Sequence, residues 1–164
     1  MPLVLVPTPI GNLQDITLRA LEVLKGCDVV ACEDTRRTLK LLNHYGIKKP
    51  LMSLHEHNEV MRLGRMREML SEGLLVALVS DAGTPGISDP GEIVVRMAID
   101  EGFPVDVLPG PSAAITALVM SGLGTRRFTF EGFLEGRRSF KEARLRALKD
   151  REETLVFYAS PHQA

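Results

Sequence analysis

Three side chains that can move a proton lie just after short apolar runs. Glu33 follows residues 29–32, His55 follows residues 51–54, and Asp81 stands two places after residues 76–79. A carboxylate or an imidazole within hydrogen-bond reach of a hydroxyl can act as a general base. We therefore take Asp81, Glu33 and His55 as catalytic candidates, with capping a helix or holding a loop as the alternative role of each.

The longest polar cluster is the segment SDAGTPGISDPG at residues 80–91. Its three glycines can adopt left-handed conformations or let the backbone approach a ligand, and its two prolines stiffen it. They are Gly83, Gly86 and Gly91, and Pro85 and Pro90. A connection this long and this poor in apolar residues is more typical of a binding loop than of a spacer.

The elements that must position these groups alternate along the chain. Five apolar runs are separated by helical patterns, which predicts an α/β fold: a mostly parallel five-stranded sheet with flanking helices. The runs are residues 3–6, 29–32, 51–54, 76–79 and 105–108, and the helices are residues 17–25, 35–45, 58–70, 92–100 and 111–120. The clusters that follow the runs then share one sheet edge, where ligands bind in such folds. Met61, Met66 and Met69 have helical spacing and are expected in the core.

The pattern changes near residues 122–125, which predicts a linker. Residues 1–122 form the first domain, and residues 126–164 begin a second α/β domain that is cut short. The second part contains a charged helix over residues 139–153, in which Phe140, Leu145 and Leu148 are expected to point inward. The alternative is a hairpin-like extension that packs on the first domain.

Composition excludes several classes of protein. The 164 residues are 45% hydrophobic and 25% charged, with a net charge of −1, as in a soluble globular protein without a global basic field. No apolar run approaches the ~20 residues of a membrane span, and no signal peptide is recognisable, which predicts a cytoplasmic location. Cys27 and Cys32 are expected to be small buried residues rather than a disulfide pair.

Arg36 and Arg37 follow Glu33 and Asp34 directly. The group has two interpretations: a charge cluster at a helix N-terminus, or a guanidinium pair that clamps a phosphate backbone. Residues 126–164 hold nine basic and six acidic side chains, which suits a polyanion as well as a merely solvated helix face.

Common nucleotide and nucleophile motifs are missing. The sequence contains no P-loop pattern and no nucleophile elbow, and the loop at residues 7–12 has one glycine where a dinucleotide fingerprint needs three. Backbone-rich loops of this kind suit a neutral or zwitterionic nucleoside better than a triphosphate. The His55-Glu56-His57 segment could bind zinc, but no third ligand is evident, so we expect no metal and assign the segment to polar site lining.

Five ordered motifs carry a family resemblance. They are PTPIGNLQDIT at residues 7–17, EDTRR at 33–37, HEHNE at 55–59, residues 80–91, and PGPSA at 109–113. Together they resemble bacterial ribose 2′-O-methyltransferases that modify a decoding-centre cytidine of small-subunit ribosomal RNA, within the tetrapyrrole methylase superfamily. The resemblance runs from Pro2 to His162. Family members continue past the Ser160-Pro161-His162 motif and complete a second domain that this chain lacks.

The resemblance implies S-adenosylmethionine bound in a cleft between two α/β domains, usually in a homodimer. Gly83-Thr84-Pro85 matches the superfamily's Gly-x-Pro cofactor loop, and Ile87 follows at the spacing of a cofactor contact. Asp81, a candidate acceptor for a ribose hydroxyl, is also expected to bind the cofactor. The other implied cofactor-binding residues are Pro9, Ile10, Ser112, Ala113 and Tyr158.

The implied partner is small-subunit ribosomal RNA, with Arg36, Arg37, Arg137 and Arg138 meeting phosphates. Two alternatives stay open. One is methylation of a tetrapyrrole or another small acceptor, and the other is a non-catalytic binding module.

Overall fold

The computed structural model describes residues 3–55, 57–88 and 91–160. The chain divides into two compact units, Met1–Pro111 and Ser112–Ala164. The fifth helix thus counts with the second unit, whereas the sequence places the domain boundary after it, at residues 122–126. The extent of the second domain stays a prediction.

The first unit contains five strands and four helices in alternation. The strands are β1 (Leu3–Leu5), β2 (Val29–Cys32), β3 (Leu51–Ser53), β4 (Val76–Val79) and β5 (Val105–Val107). The helices are α1 (Leu18–Gly26), α2 (Thr35–His44), α3 (Glu59–Ser71) and α4 (Glu92–Asp100), and a short 3-10 helix spans Leu13–Asp15. Every predicted element of this unit is present, within one or two residues of its predicted ends.

The five strands form one parallel sheet in the order β3-β2-β4-β1-β5. Successive side chains of a strand point to opposite faces, and both faces of this sheet are covered. Leu3, Leu5 and Leu78 pack on the α3–α4 side, while Val4, Val30 and Val79 pack on the α1–α2 side. The predicted parallel α/β fold is confirmed.

The strand order creates a switch point between β1 and β4. The connection that leaves β1 carries α1 over one face of the sheet, whereas the connection that leaves β4 carries α4 over the other face. In open α/β sheets, ligands bind at the carboxyl edge where neighbouring connections diverge in this way. The loops that follow β1 and β4 are therefore the first place to look for a site.

Helix ends follow their local chemistry. Thr17 Oγ1 accepts a hydrogen bond from the Ala20 N–H at 3.0 Å and caps α1, and Asp34 Oδ1 accepts one from the Arg36 N–H at 2.8 Å and caps α2. Side-chain oxygens at this position satisfy amides that would otherwise lack a partner.

The methionine expectation is partly wrong. Met66 and Met69 are buried, but Met61 is 80% exposed. The helix begins at Glu59, so Met61 lies in its first turn. Met61 and Met66 are five residues apart, which places their side chains about 140° apart around the helix axis. Helical spacing placed the residue on the wrong face.

The second unit contains α5 (Ala113–Met120), β6 (Phe128–Phe133), α6 (Arg138–Leu148) and β7 (Thr154–Tyr158). The two strands pair in parallel, so this segment is a β-α-β unit and not a hairpin. Leu148 is buried as expected, whereas Phe140 is 70% exposed and Leu145 is 46% exposed. Their predicted inward position is wrong because a two-stranded sheet offers one helix little surface to cover.

Within the described ranges, no helix is long and apolar enough to cross a membrane.

Candidate functional site

The loops after β1 and β4 are joined backbone to backbone. The Thr8 N–H donates to the Gly83 carbonyl, and the Gly83 N–H donates to the Thr8 carbonyl, both at 2.9 Å. This antiparallel bridge extends the pairing of two parallel strands beyond their ends. It fixes the two loops of the switch point against each other.

Two buried hydroxyls strengthen the same junction. Thr8 Oγ1 donates to the Ser80 carbonyl at 3.1 Å, and Ser80 Oγ donates to the Gly83 carbonyl, also at 3.1 Å. Both residues are only 3% exposed. Because both hydroxyls donate to carbonyls of the loops, they hold the loop backbone rigidly at the edge of the sheet.

The loop after β5 closes on this junction from the other side. Gly83 has a φ of +82°, and a Cβ added there would lie 3.5 Å from the Pro111 carbonyl oxygen and 3.6 Å from Ile10 Cγ2. At Gly110 an added Cβ would lie 2.5 Å from Pro7 Cβ, closer than real side chains come. The β1, β4 and β5 loops thus meet at two glycines, one at positive φ and one with no room for a side chain, and they form a mostly uncharged cradle.

The predicted loop residues of the first unit lie in the β1 and β4 loops. Pro9, Ile10 and Thr84 are half-buried, Pro85 is buried, and Ile87 presents an apolar side chain that is 48% exposed. Gly86 and Gly91 adopt positive φ values of 83° and 130°, as the glycine pattern predicts. Asp89 and Pro90 lie outside the described residues.

Asp81 ties the β4 loop to α2. Its Oδ1 accepts a hydrogen bond from the Asp34 N–H at 3.1 Å, and its Oδ2 lies 3.3 Å from Arg37 Nη1. The Asp81 side chain is 20% exposed. Both carboxylate oxygens therefore hold neighbouring groups in place.

Glu33 differs from the acidic residues around it. No hydrogen bond from a described residue reaches its carboxylate, and it is half-buried at the end of β2. Burial raises the pKa of Glu33, and the nearby Asp81 charge raises it further. An uncommitted carboxyl with a raised pKa has the properties of a general base.

Asp34 and Arg36 form an exposed pair at the start of α2. Arg36 Nη2 lies 2.8 Å from Asp34 Oδ2, and hydrogen bonds from the Arg36 side chain and N–H hold the pKa of Asp34 well below its ordinary value. The Arg36 and Arg37 side chains are 86% and 67% exposed. The cluster is thus a helix-capping group, and its guanidinium groups also face solvent.

His55 begins a loop held by a buried amide. Asn58 Oδ1 accepts from the His55 N–H at 2.8 Å, and Asn58 Nδ2 donates to the Ser53 carbonyl at 3.3 Å. His55 Nδ1 is buried and has no hydrogen-bond partner. The His57 ring lies 6.0 Å from that of His55, centroid to centroid, and no group of three metal-ligating side chains occurs in the described parts of the chain. Glu56 lies outside these parts.

A buried carboxylate holds the far end of the β4 loop. Glu59 is 6% exposed, and its Oε1 accepts a hydrogen bond from the Gly91 N–H at 2.8 Å. A Cβ on Gly91 would lie 2.9 Å from Leu78 Cδ2, so the loop re-enters against the core at a position that needs glycine.

The remaining predicted residues belong to the second unit. Ser112 is the N-cap residue of α5 but makes no side-chain cap bond, and Ala113 is the first residue of that helix. The Tyr158 ring is 4.9 Å from Phe130 and 5.4 Å from Phe133, edge to face. Arg138 pairs with Glu142 at 2.8 Å, and Arg137 precedes α6 and is exposed. The structure does not test their predicted ligand roles.

Sequence reasoning missed three residues that build the edge. Thr8, Asn58 and Glu59 are all buried and polar, and each hydrogen-bonds to a loop. Thr8 carried a usable signal, because a threonine between two prolines has few conformations and one free hydroxyl.

An open parallel α/β sheet with uncharged glycine- and proline-rich loops at its switch point defines the class of protein. A family model described as Tetrapyrrole (Corrin/Porphyrin) Methylases matches residues 2–164. The chain belongs to this family, which confirms the resemblance carried by the five motifs. Membership implies a methyl donor.

Two relatives carry the same name, Ribosomal RNA small subunit methyltransferase I. The protein of Haemophilus influenzae is 50% identical over 161 residues, which are 98% of this chain and 57% of the relative. The protein of Escherichia coli O157:H7 is 51% identical over 98% of this chain and 56% of the relative. The chain thus spans little more than half the length of these relatives.

A solved structure shows the same fold. The crystal structure of diphthine synthase matches with a TM-score of 0.75 at 17% identity and covers 98% of this chain and 66% of that chain.

Proposed function

We propose that this protein is an S-adenosylmethionine-dependent methyltransferase. Its substrate is the 2′-hydroxyl of a cytidine ribose in small-subunit ribosomal RNA. The main support is the meeting of the β1, β4 and β5 loops at Gly83, beside Ile10 and Pro111. The shared name of relatives about 50% identical to the chain supports the RNA substrate.

The cradle fits the cofactor chemically. S-adenosylmethionine has no phosphate, and the cradle offers backbone and apolar groups instead of a phosphate-binding glycine loop with a lysine. Pro9, Ile10, Gly83, Thr84, Pro85 and Ile87 would hold it. The cofactor roles that the resemblance gives to Ser112, Ala113 and Tyr158 stay predictions. When bound, the cofactor supplies a methyl group on a sulfonium, which a ribose oxygen can attack directly.

The chain's own task is to orient the ribose and take up its proton. Among the three sequence candidates, we assign Glu33 as the general base, because it is uncommitted and its raised pKa matches that role. Asp81 is a positioning residue, since both of its oxygens hold α2. His55 lines the site near Glu33.

Calorimetry on the 164-residue chain tests the cofactor assignment. We expect heat on adding S-adenosylmethionine and competition by S-adenosylhomocysteine. Gly83→Ala should remove most of this binding. Gly73→Ala is the matched control, because Gly73 also has positive φ, at +78°, but ends α3 with nothing within 4 Å of an added Cβ.

Equal losses of binding in the two variants would contradict the cradle and leave only a general effect of backbone strain. Absence of heat with the wild-type protein would contradict the cofactor assignment itself.

The substrate assignment is tested by methyl transfer to small ribosomal subunits. A 2′-O-methyl group blocks alkaline cleavage of the adjacent phosphodiester, so the product appears as one resistant linkage. Glu33→Gln should slow single-turnover transfer far more than Asp81→Asn slows it. Transfer to a tetrapyrrole and none to RNA would favour the small-acceptor alternative. We further propose a homodimer that works in the cytoplasm, where its ribosomal substrate is found.

A further inference from the structure

A small cavity of about 120 Å³ lies between the short 3-10 helix and α2, beside the cradle. Its walls include Pro9, Leu13, Arg37, Lys40, Leu41 and Asp81. Cavities for whole small molecules measure roughly 300–1,000 Å³. The space here is well below that range and suits a single chemical group.

The walls of this cavity are held from several sides. Tyr45, which ends α2, donates a hydrogen bond from its hydroxyl to the Leu13 carbonyl and so joins the two helices. Asn12 caps the 3-10 helix through the Gln14 N–H at 3.0 Å. Thr8 and Ser80, which are hydrogen-bonded to each other, also line the cavity. The cavity is therefore preorganised, which lowers the cost of binding.

The charges around the cavity favour an anion. Arg37 and Lys40 are three residues apart on α2 and therefore share a face. Asp81 holds Arg37 at 3.3 Å, and no carboxylate in the described ranges lies within salt-bridge distance of Lys40. The cavity thus carries two cations against one anion, next to apolar Leu13 and Leu41.

Neutral ligands are disfavoured by the same walls. The Thr8 and Ser80 hydroxyls both donate to loop carbonyls. Few free hydrogen-bonding groups remain to read the edge of a base, whereas a phosphate needs only the two cations.

We propose that this cavity is a subsite for one phosphodiester group of the RNA substrate, with Lys40 as its principal cation. The inference rests on the proposed function, since it supposes that RNA reaches this edge of the sheet. It adds a positioning contact next to the cradle. A phosphate bound at α2 fixes the position of the RNA strand along the site and so determines which ribose reaches the cofactor.

Salt dependence of RNA binding tests this subsite. Binding of a fluorescent single-stranded RNA is measured by anisotropy over a range of salt concentrations, in wild type, Lys40→Ala and Lys48→Ala. Lys48→Ala is the control, because it removes the same charge from the exposed segment before β3, away from the carboxyl edge. Each phosphate contact contributes about 0.7 to the slope of log affinity against log salt for single strands.

We expect Lys40→Ala to reduce the slope by about 0.7, Lys40→Arg to restore it, and Lys48→Ala to leave it unchanged. A set of oligonucleotides is then tested, each with one uncharged methylphosphonate at a different position. We expect one of these substitutions to weaken RNA binding by wild type and to leave binding by Lys40→Ala unchanged.

Equal slopes for Lys40→Ala and wild type would overturn the subsite. A loss of S-adenosylmethionine affinity in Lys40→Ala, with an unchanged RNA slope, would assign the cavity to the cofactor carboxylate and also overturn it. Inorganic phosphate that binds through Lys40 without competing with RNA would do the same. If wild type shows no salt-dependent RNA binding, the proposed substrate itself fails, which is a different result.

Discussion

The two units differ in how completely they bury their strands. All four residues of β4 are buried in the first unit, whereas all five residues of β7 are only half-buried in the second. Helices cover both faces of the five-stranded sheet. In the second unit, α5 buries only Ala114 and Leu118, although nearly all of its residues are apolar.

This difference in burial predicts where substitutions should destabilise the protein. The cradle lies on loops whose strands are fixed by a closed core, so its geometry depends on packing within the first unit. The second unit leaves large apolar side chains uncovered, including Val119 at 68% and Met120 at 84% exposure. Substitutions should therefore affect stability strongly in the first unit and weakly in the second.

Truncating a buried side chain should show the largest contrast. Leu78→Ala removes a side chain that is 1% exposed, and we expect a loss of about 2–5 kcal/mol in the free energy of unfolding. Phe140→Ala, at 70% exposure, should change it by less than about 0.5 kcal/mol. Urea unfolding measures both, and similar losses would mean that the second unit has a core as tight as the first.

Adding one methyl group to a glycine should give an intermediate contrast. Gly110→Ala forces its Cβ to within 2.5 Å of Pro7 Cβ, and such overpacking costs roughly 1–3 kcal/mol. Gly124→Ala meets nothing within 4 Å, so its cost should be near zero. The prediction is wrong if Gly110→Ala melts at the wild-type temperature.

The smallest contrast concerns two carboxylates with opposite pKa shifts. Burial raises the pKa of Glu33, whereas hydrogen bonds from its own backbone and from Thr129 lower the pKa of Glu153. The contribution of Glu33 to stability is fully present when the pH is below 4.5, the ordinary pKa of a glutamate. It is lost as the pH rises through the raised pKa of Glu33. The contribution of Glu153 is present above 4.5 and is lost as pH falls through its lowered pKa.

At neutral pH, Glu33→Gln should therefore stabilise the protein and Glu153→Gln should destabilise it. The Glu33→Gln difference should vanish in acid below its ordinary pKa of 4.5, and the Glu153→Gln difference should vanish below its lowered value. Thermal unfolding over an acid-to-neutral series measures the two trends. Changes of the same sign at neutral pH would contradict them.

The fold was predictable because strand and helix patterns alternate and each strand ends in polar residues. The β4 strand and the α4 helix match their predicted bounds, since an apolar run and a glycine mark their ends. Helix faces were harder. Met61 and Phe140 fit the helical spacing, but exposure depends on which neighbour covers a face, and spacing does not contain that information.

The candidate site was predictable in its backbone and not in its pairings. Gly83, Gly86 and Gly91 signalled positive φ correctly, because few other residues adopt it. The partners of Asp81 were not predictable, since Asp34 and Arg37 lie 47 and 44 positions away along the chain and meet it only through the β2–β4 pairing. The same holds for Glu59 and Gly91.

The central position of β1 has a consequence for the order in which the chain can fold. Leu3 pairs with Val76 on one side and with Val105 on the other. During synthesis, the first strand must therefore wait until most of the first unit has left the ribosome before either edge of it is paired. Nonlocal pairing of this kind slows folding, so β1 stays open to other partners until β4 has been made.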